Sequence, residues 1–285
     1  MWCLPSLPSP SRPFAPRSIS IYLKRSKEPD GRDDAPLSTR SLMALSEPRA
    51  RESLDLPPVF QGLTLGADGD AFAYACRVAG EMGAGTLVWT TREDLADFAV
   101  VLEPEAPLSE ARKSFFLGMN ALLQAISVHC PPERPVSFDW PCTVRFDGGL
   151  VGGGRLAWPE DCAEGEVPDW MVFGASVRIA FSEMTEPGQA PDATALAEEG
   201  FEGVGPSVIV ESFARFFLRQ VDLWQSAGEG QAIADYLGHL APAGRGRTAT
   251  LSPAGDLNLG GQSFSLVEGL RAVDWLDARS GEPRL

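Results

Sequence analysis

The chain of 285 residues has only two histidines, His129 and His239, which excludes a histidine-rich metal centre. Its five cysteines (Cys3, Cys76, Cys130, Cys142 and Cys162) show no CxxC spacing. That argues against a zinc site and against a disulfide framework, and suits a reducing, cytoplasmic compartment. No metal is expected. Lysine is equally scarce: Lys24, Lys27 and Lys113 are the only three. Lys and Arg together number 24 against 39 Asp and Glu, a formal net charge of -15. Nucleic-acid binding relies on basic surface that neutralises phosphates, so no nucleic-acid partner is expected. No apolar run reaches the roughly 18 residues of a membrane-spanning helix, and no membrane partner is expected either.

What is present is ample core material, 44% hydrophobic residues, in a length that fits one large domain with a small appendage. Residues 1–42 stand apart. Pro5, Pro8, Pro10, Pro13 and Pro16 break any periodicity, and Arg12, Arg17, Lys24, Arg25 and Lys27 all precede the first acid, Glu28. The segment reads as a disordered tail or a mis-assigned start, with Met43 as the true start.

From Val59 onward the pattern becomes that of a folded domain. Phe60–Leu65 predicts a strand, Ala71–Met82 a helix with Phe72, Ala75, Cys76 and Ala79 on one stripe, and 86–90 and 97–102 two further strands. Pro107 opens a long helix to about Val128, whose Lys113 is expected on the exposed side. Val136–Phe146 and Leu150–Trp158 read as strands joined by the turn Asp147-Gly148-Gly149, and Trp170–Phe181 as another. Pro206 starts a helix that Gly228 stops, a short helix follows near 233–240, and three strand-like pieces (247–251, 257–259, 263–267) close the chain. The expected fold is α+β: a mixed, mainly antiparallel sheet with packed helices over 43–228, and a small C-terminal β domain over 229–285.

The stretch Trp140-Pro-Cys-Thr-Val-Arg-Phe-Asp-Gly-Gly-Leu-Val-Gly-Gly-Gly154 resembles the Trp-Pro-Asn-Asp hairpin of the biotin/lipoate A/B protein ligases. Further features follow in that family's order: Gly69-Asp-Ala-Phe-Ala73 at the first helix, Gly85-Thr-Leu-Val88 in the next strand, Phe173-Gly-Ala-Ser-Val177 near the site, and Thr194-Ala-Leu-Ala-Glu-Glu199 before the last long helix. Ser252-Pro-Ala-Gly-Asp-Leu257 is similar to part of the small β domain that many biotin ligases carry. The resemblance, spanning about 59–270, implies ATP-dependent attachment or transfer of an acyl cofactor to a carrier-protein lysine. ATP with Mg would be the cofactor, biotin, lipoate or octanoate the substrate or ligand, and a biotinyl or lipoyl carrier protein the partner.

The departures from that pattern bear on activity. No Arg-rich, Gly-rich loop follows the second strand, where Thr90-Thr-Arg-Glu-Asp-Leu95 runs on directly, and Gly244-Arg-Gly-Arg247 occurs only far downstream. The family's lysine position falls on Leu150, which cannot neutralise a carboxylate or acyl phosphate. Strict alternation puts Arg155 on the opposite face from Leu150, leaving Arg145 on the partner strand as the better anion contact. The family's octanoyltransferases use a cysteine, and Cys142 takes the Asn position of the Trp-Pro motif, so Arg145 and Cys142 are the catalytic candidates. Gly152, Gly153 and Gly154 interrupt a strand, which fits either close approach by a ligand or a β-bulge. With Trp140 and Gly174 they form the expected ligand pocket. Two functions stay open: a divergent ligase with reduced or lost activity, and a non-catalytic module for a small acid or acyl nucleotide, or a regulatory subunit of an active ligase. The oligomeric state is left open.

Overall fold

Leu95–Pro104 is buried along almost its whole length because helices cover both of its faces. In the computed structural model this strand, β4, lies in the interior of the larger of two sheets. The structure describes residues 21–22, 53–131, 134–181, 190–241 and 248–285; the expectation for 1–42, apart from Ile21–Tyr22, lies outside them, as do Arg245 and Arg247.

Ile21–Tyr22 (β1) pairs with Pro104 and Glu103 at the end of β4. Gln61–Leu65 (β2) leads into Ala71–Met82 (α1), whose first turn is capped by the Asp70 carboxylate accepting from the Ala73 N–H at 2.9 Å. Thr86–Thr90 (β3) runs parallel to β2 and antiparallel to β4. The long helix begins as Leu108–Ala111 (α2), tightens to a 3-10 turn over Arg112–Ser114, and continues as Phe115–Ser127 (α3). Next come Val136–Asp139 (β5), Thr143–Phe146 (β6), Gly149–Ala157 (β7) and Met171–Arg178 (β8). The sheet order is β2-β3-β4-β8-β7-β6-β5 with only β2–β3 parallel, which is the mixed, mainly antiparallel sheet expected. Pro206–Ala227 (α4) and Glu229–Gly238 (α5) follow, then Ala249–Leu251 (β9), Leu257–Leu259 (β10) and Gln262–Phe264 (β11) as a separate three-stranded sheet, and Leu266–Ala272 (α6).

Three local differences from the sequence expectation have simple causes. The run 136–146 is two strands, because Pro141 has no N–H to continue the ladder and the chain turns at Trp140–Cys142. The run 263–267 is cut at Ser265, whose hydroxyl caps α6 by accepting from the Glu268 N–H. Helix α5, expected with the C-terminal strands, packs on α3 and α4 and stacks Tyr236 on Phe138 in the main core.

The two faces of the large sheet differ. Helices α3 and α4 cover one face through an aromatic core in which Phe173, Phe213 and Phe217 stack. Helix α1 covers only part of the other face, through Ala71, Ala75 and Ala79 against Val88, Ala99 and Val172. The rest of that second face is where the two cavities described below open. Among the described residues, no helix is long and apolar enough to cross a membrane.

Candidate functional site

A bulge decides what the second face presents. Arg145 pairs with Leu150 and Val144 with Gly152, so Val151 is an extra residue on β7. The shift reverses the alternation and puts Leu150, Gly153 and Arg155 on one face, together with Thr143 and Arg145 of β6, Gly174 and Ser176 of β8, and Asp97 of β4. The sequence expectation that Arg155 faces away from Leu150 is thereby corrected.

The first cavity, about 510 Å³, lies between the Trp140–Cys142 turn and α6. Its walls include Trp140, Cys142, Arg145, Leu150 and Trp275, with the carboxylates of Asp139, Glu268 and Asp274 around them. Three of the candidate residues therefore meet here. Arg145 is already engaged: its Nε donates to Asp139 and its Nη1 to the Gly148 carbonyl at 2.9 Å. Cys142 is buried, and burial pushes its thiol up to about 12. A thiol so placed is protonated at neutral pH, and no cation stands among the influences on it, so it lacks the setting of a nucleophile.

The glycines do not line this cavity or the second one. A methyl group on Gly153 would overlap the Trp275 ring and the Cys142 carbonyl, one on Gly154 the Met119 sulfur, one on Gly152 the Ser176 carbonyl, and one on Gly174 the Phe72 ring. The space these glycines leave is taken by the chain's own atoms.

The second cavity, about 330 Å³, sits at the start of α1 and is walled by Asp68, Gly69, Asp70, Arg92, Leu95, Asp97, Arg155 and, from the far end of the chain, Ser280 and Gly281. Asp97 is 6% exposed and forms its floor. It accepts from Ser176 Oγ at 2.7 Å and from the Ala71 N–H at 3.1 Å, and Arg155 Nη2 lies 3.7 Å away. Burial outweighs these contacts and holds the Asp97 carboxyl above its ordinary range. The Arg155 guanidinium rests on the Phe72 ring at 4.4 Å, with its buried Nε unpartnered. Arg92 binds Asp94 through both Nε and Nη2, and its Nη2 also reaches Glu282 at 2.7 Å.

Sequence inspection missed this cluster, although one signal was available: Asp97 and Ser176 are polar positions in strands that are otherwise apolar and buried. It also misplaced Lys113. That residue is buried, its ammonium paired with Glu229 at the start of α5, while its neighbour Arg112 is buried beside Trp158 and paired with Glu164. Among the described residues there is no group of three or more His, Cys, Asp and Glu side chains placed to hold a metal ion.

The comparisons with known proteins agree with this architecture. Residues 56–238 match the model of the biotin/lipoate A/B protein ligase family. A "Biotin--[acetyl-CoA-carboxylase] ligase" of Paracoccus denitrificans is 25% identical over 188 residues, 65% of this chain and 72% of that protein. Among solved structures, a biotin protein ligase-like protein of unknown function from Silicibacter sp. tm1040 is 27% identical with a TM-score of 0.65, over 78% of this chain and 99% of that one. The biotin protein ligase of Aquifex aeolicus, as an R40G mutant in complex with biotin, shares the fold at 14% identity and a TM-score of 0.53, over 71% of this chain and 94% of that one.

Proposed function

The chain belongs to the biotin/lipoate A/B protein ligase family, and we propose that it works there as a small-molecule binding member rather than as an ATP-dependent acyl ligase. One observation carries the reading. Among the described residues, every arginine that lines either cavity already faces a carboxylate: Arg145 faces Asp139, Arg155 faces Asp97 and Asp70, and Arg92 faces Asp94 and Glu282. Adenylation develops negative charge on an acyl phosphate, and its stabilisation needs a cation aimed at that position. At position 150, where the resemblance calls for a lysine, a leucine stands in the wall of the larger cavity.

ATP with Mg does not suit the walls of the larger cavity. A triphosphate in the larger cavity would face Asp139, Glu268 and Asp274 with one arginine already engaged by Asp139. The described residues do not fit that group. The polar pocket fits a small molecule better, since guanidinium and carboxylate groups both border a space of about 330 Å³. A small carboxylic acid is the ligand class in this reading. The cysteines described, Cys76, Cys130, Cys142 and Cys162, are all free, which supports a cytoplasmic setting.

The second reading, an active ligase acting on a carrier protein, is supported by the Paracoccus denitrificans relative. One experiment separates the two. The full chain is heated with biotin, lipoate or octanoate, each with and without Mg-ATP, and pyrophosphate release is assayed in parallel. A ligand at 100 times its dissociation constant stabilises by about 2.7 kcal/mol. At this size that is a shift of roughly 5–10 °C. The binding reading expects a shift with acid alone and no pyrophosphate. Pyrophosphate release that depends on the acid would overturn it in favour of ligation.

A further inference from the structure

One wall of the polar pocket comes from far along the chain. After α6 the chain inserts Trp275, fully buried, and then forms a small hairpin in which Leu276 bridges to Pro283. Its turn closes through the Asp277 N–H donating to the Glu282 carbonyl and the Gly281 N–H donating to the Asp277 carbonyl, both at 2.8 Å. Ser280 and Gly281, at the tip, are the residues that wall the pocket.

The attachments of this hairpin are unequal. Its base is firm: Trp275 Nε1 donates to the Gly154 carbonyl, and Arg178 donates through Nη2 to the carbonyls of Pro283 and Arg284. Its tip is exposed from Ala278 to Gly281. The side-chain attachment described between the tip side and the pocket is the ion pair of Glu282 with Arg92, whose side chains are 41% and 20% exposed. A pair so open to solvent is weak and screened by salt. Arg92 stays oriented without it, because Asp94 holds its Nε and Nη2.

We propose that the 276–283 hairpin is a lid on the polar pocket, latched by Glu282 on Arg92, and that opening it frees Arg92 for the carboxylate of a small acid. Glu282 is then a built-in competitor for that ligand. The lid rests on the reading of this pocket as a ligand site, but its movement is measurable with no ligand at all.

The test places a reporter in the pocket. Leu95 lines it and is 4% exposed. In the Leu95→Cys variant, labelling by methyl methanethiosulfonate is followed by mass spectrometry of the peptide containing position 95. Adding Glu282→Gln should speed labelling by about two- to fivefold, the reach of a pair so exposed; equal rates with and without it overturn the lid. Should Leu95→Cys fail to fold, amide exchange decides. Glu282→Gln alone should speed exchange at Ala71, whose N–H donates to Asp97 in the pocket wall, while the β7 and β8 amides stay protected, and unchanged exchange at Ala71 overturns the proposal. In the third arm, octanoate should stabilise Glu282→Gln at lower concentration than the unmodified chain, and equal half-saturation overturns the competition at Arg92. If octanoate stabilises neither form, the small-acid reading of the pocket falls, while the labelling and exchange rates still decide the lid.

Discussion

The Trp275 indole covers Gly153 so closely that no Cβ fits between them, and its Nε1 donates to the Gly154 carbonyl at 3.3 Å. The contact joins the C-terminal part of the chain to the middle of β7. It also explains a strand interrupted by glycine without recourse to a ligand, because the close approach is made by the protein itself. Gly153→Ala should therefore destabilise the fold by about 1–3 kcal/mol through overpacking against the ring and the Cys142 carbonyl. Trp275→Ala should cost about 3–5 kcal/mol by leaving a cavity. Urea denaturation followed by circular dichroism measures both. A Gly153→Ala midpoint equal to that of the unmodified chain would show that Trp275 does not press on this strand.

Among the described cysteines, Cys142 should be the slowest to alkylate. Its thiol is buried and raised to about 12, whereas Cys162 and Cys130 are partly exposed. With iodoacetamide at pH 8, modification should appear at Cys162 and Cys130 well before Cys142, and peptide mass spectrometry reads the order. Cys142→Ala should leave any acid-induced thermal shift intact. Loss of that shift would return Cys142 to the ligand site.

The fold was legible where periodicity was long. The helix at 206–227 and the strands around 86–90 and 149–157 follow from apolar spacing and flanking glycine or proline. The site was less legible, because one extra residue at Val151 changes the face of everything beyond it, and alternation counted from Leu150 gives Arg155 the wrong side. Trp140, Cys142 and Arg145 do meet at one cavity, as their place in one hairpin suggests. Lys113 was misread for a different reason. A cation beside an arginine on a long helix looks solvated until Glu229, 116 positions away, is seen to reach it. Tertiary partners of that separation leave no local trace.

Lys113→Met should accordingly be milder than Lys113→Ala. The aliphatic stem of Lys113 packs close to Gly255, and methionine keeps that contact while removing the charge. Glu229 is 40% exposed and regains water when its partner goes, so the loss for Lys113→Met should stay near about 1 kcal/mol. Lys113→Ala adds lost packing of about 1–2 kcal/mol more. Equal midpoints for the two variants would place the side chain in solvent.

Asp97 should leave a mark on the pH dependence of stability. Its carboxyl titrates above its unfolded value, mainly through burial. Between the ordinary carboxylate range and the raised folded value the native state binds the extra proton, so stability falls as pH rises through that window. The same group gives no slope once pH exceeds the folded value. Comparing urea midpoints of the unmodified chain and Asp97→Asn from pH 3 to 7 isolates this contribution from the other carboxylates. The difference should shift in favour of Asp97→Asn as pH rises, and a constant difference would show that burial does not control the group.

Leu150→Lys is the sharpest test of whether the missing cation alone separates this chain from a ligase. The new ammonium would enter a cavity that already holds the carboxylates of Asp139, Glu268 and Asp274, so it should be accommodated with little loss of stability. Those same carboxylates would compete with a phosphate for it. Charge stabilisation in a reaction requires a donor aimed at the developing charge, not one already neutralised. The variant should therefore release no pyrophosphate from Mg-ATP with biotin, lipoate or octanoate. Release above the unmodified chain would mean that the face of the sheet retains everything else adenylation needs, and that position 150 alone keeps it silent.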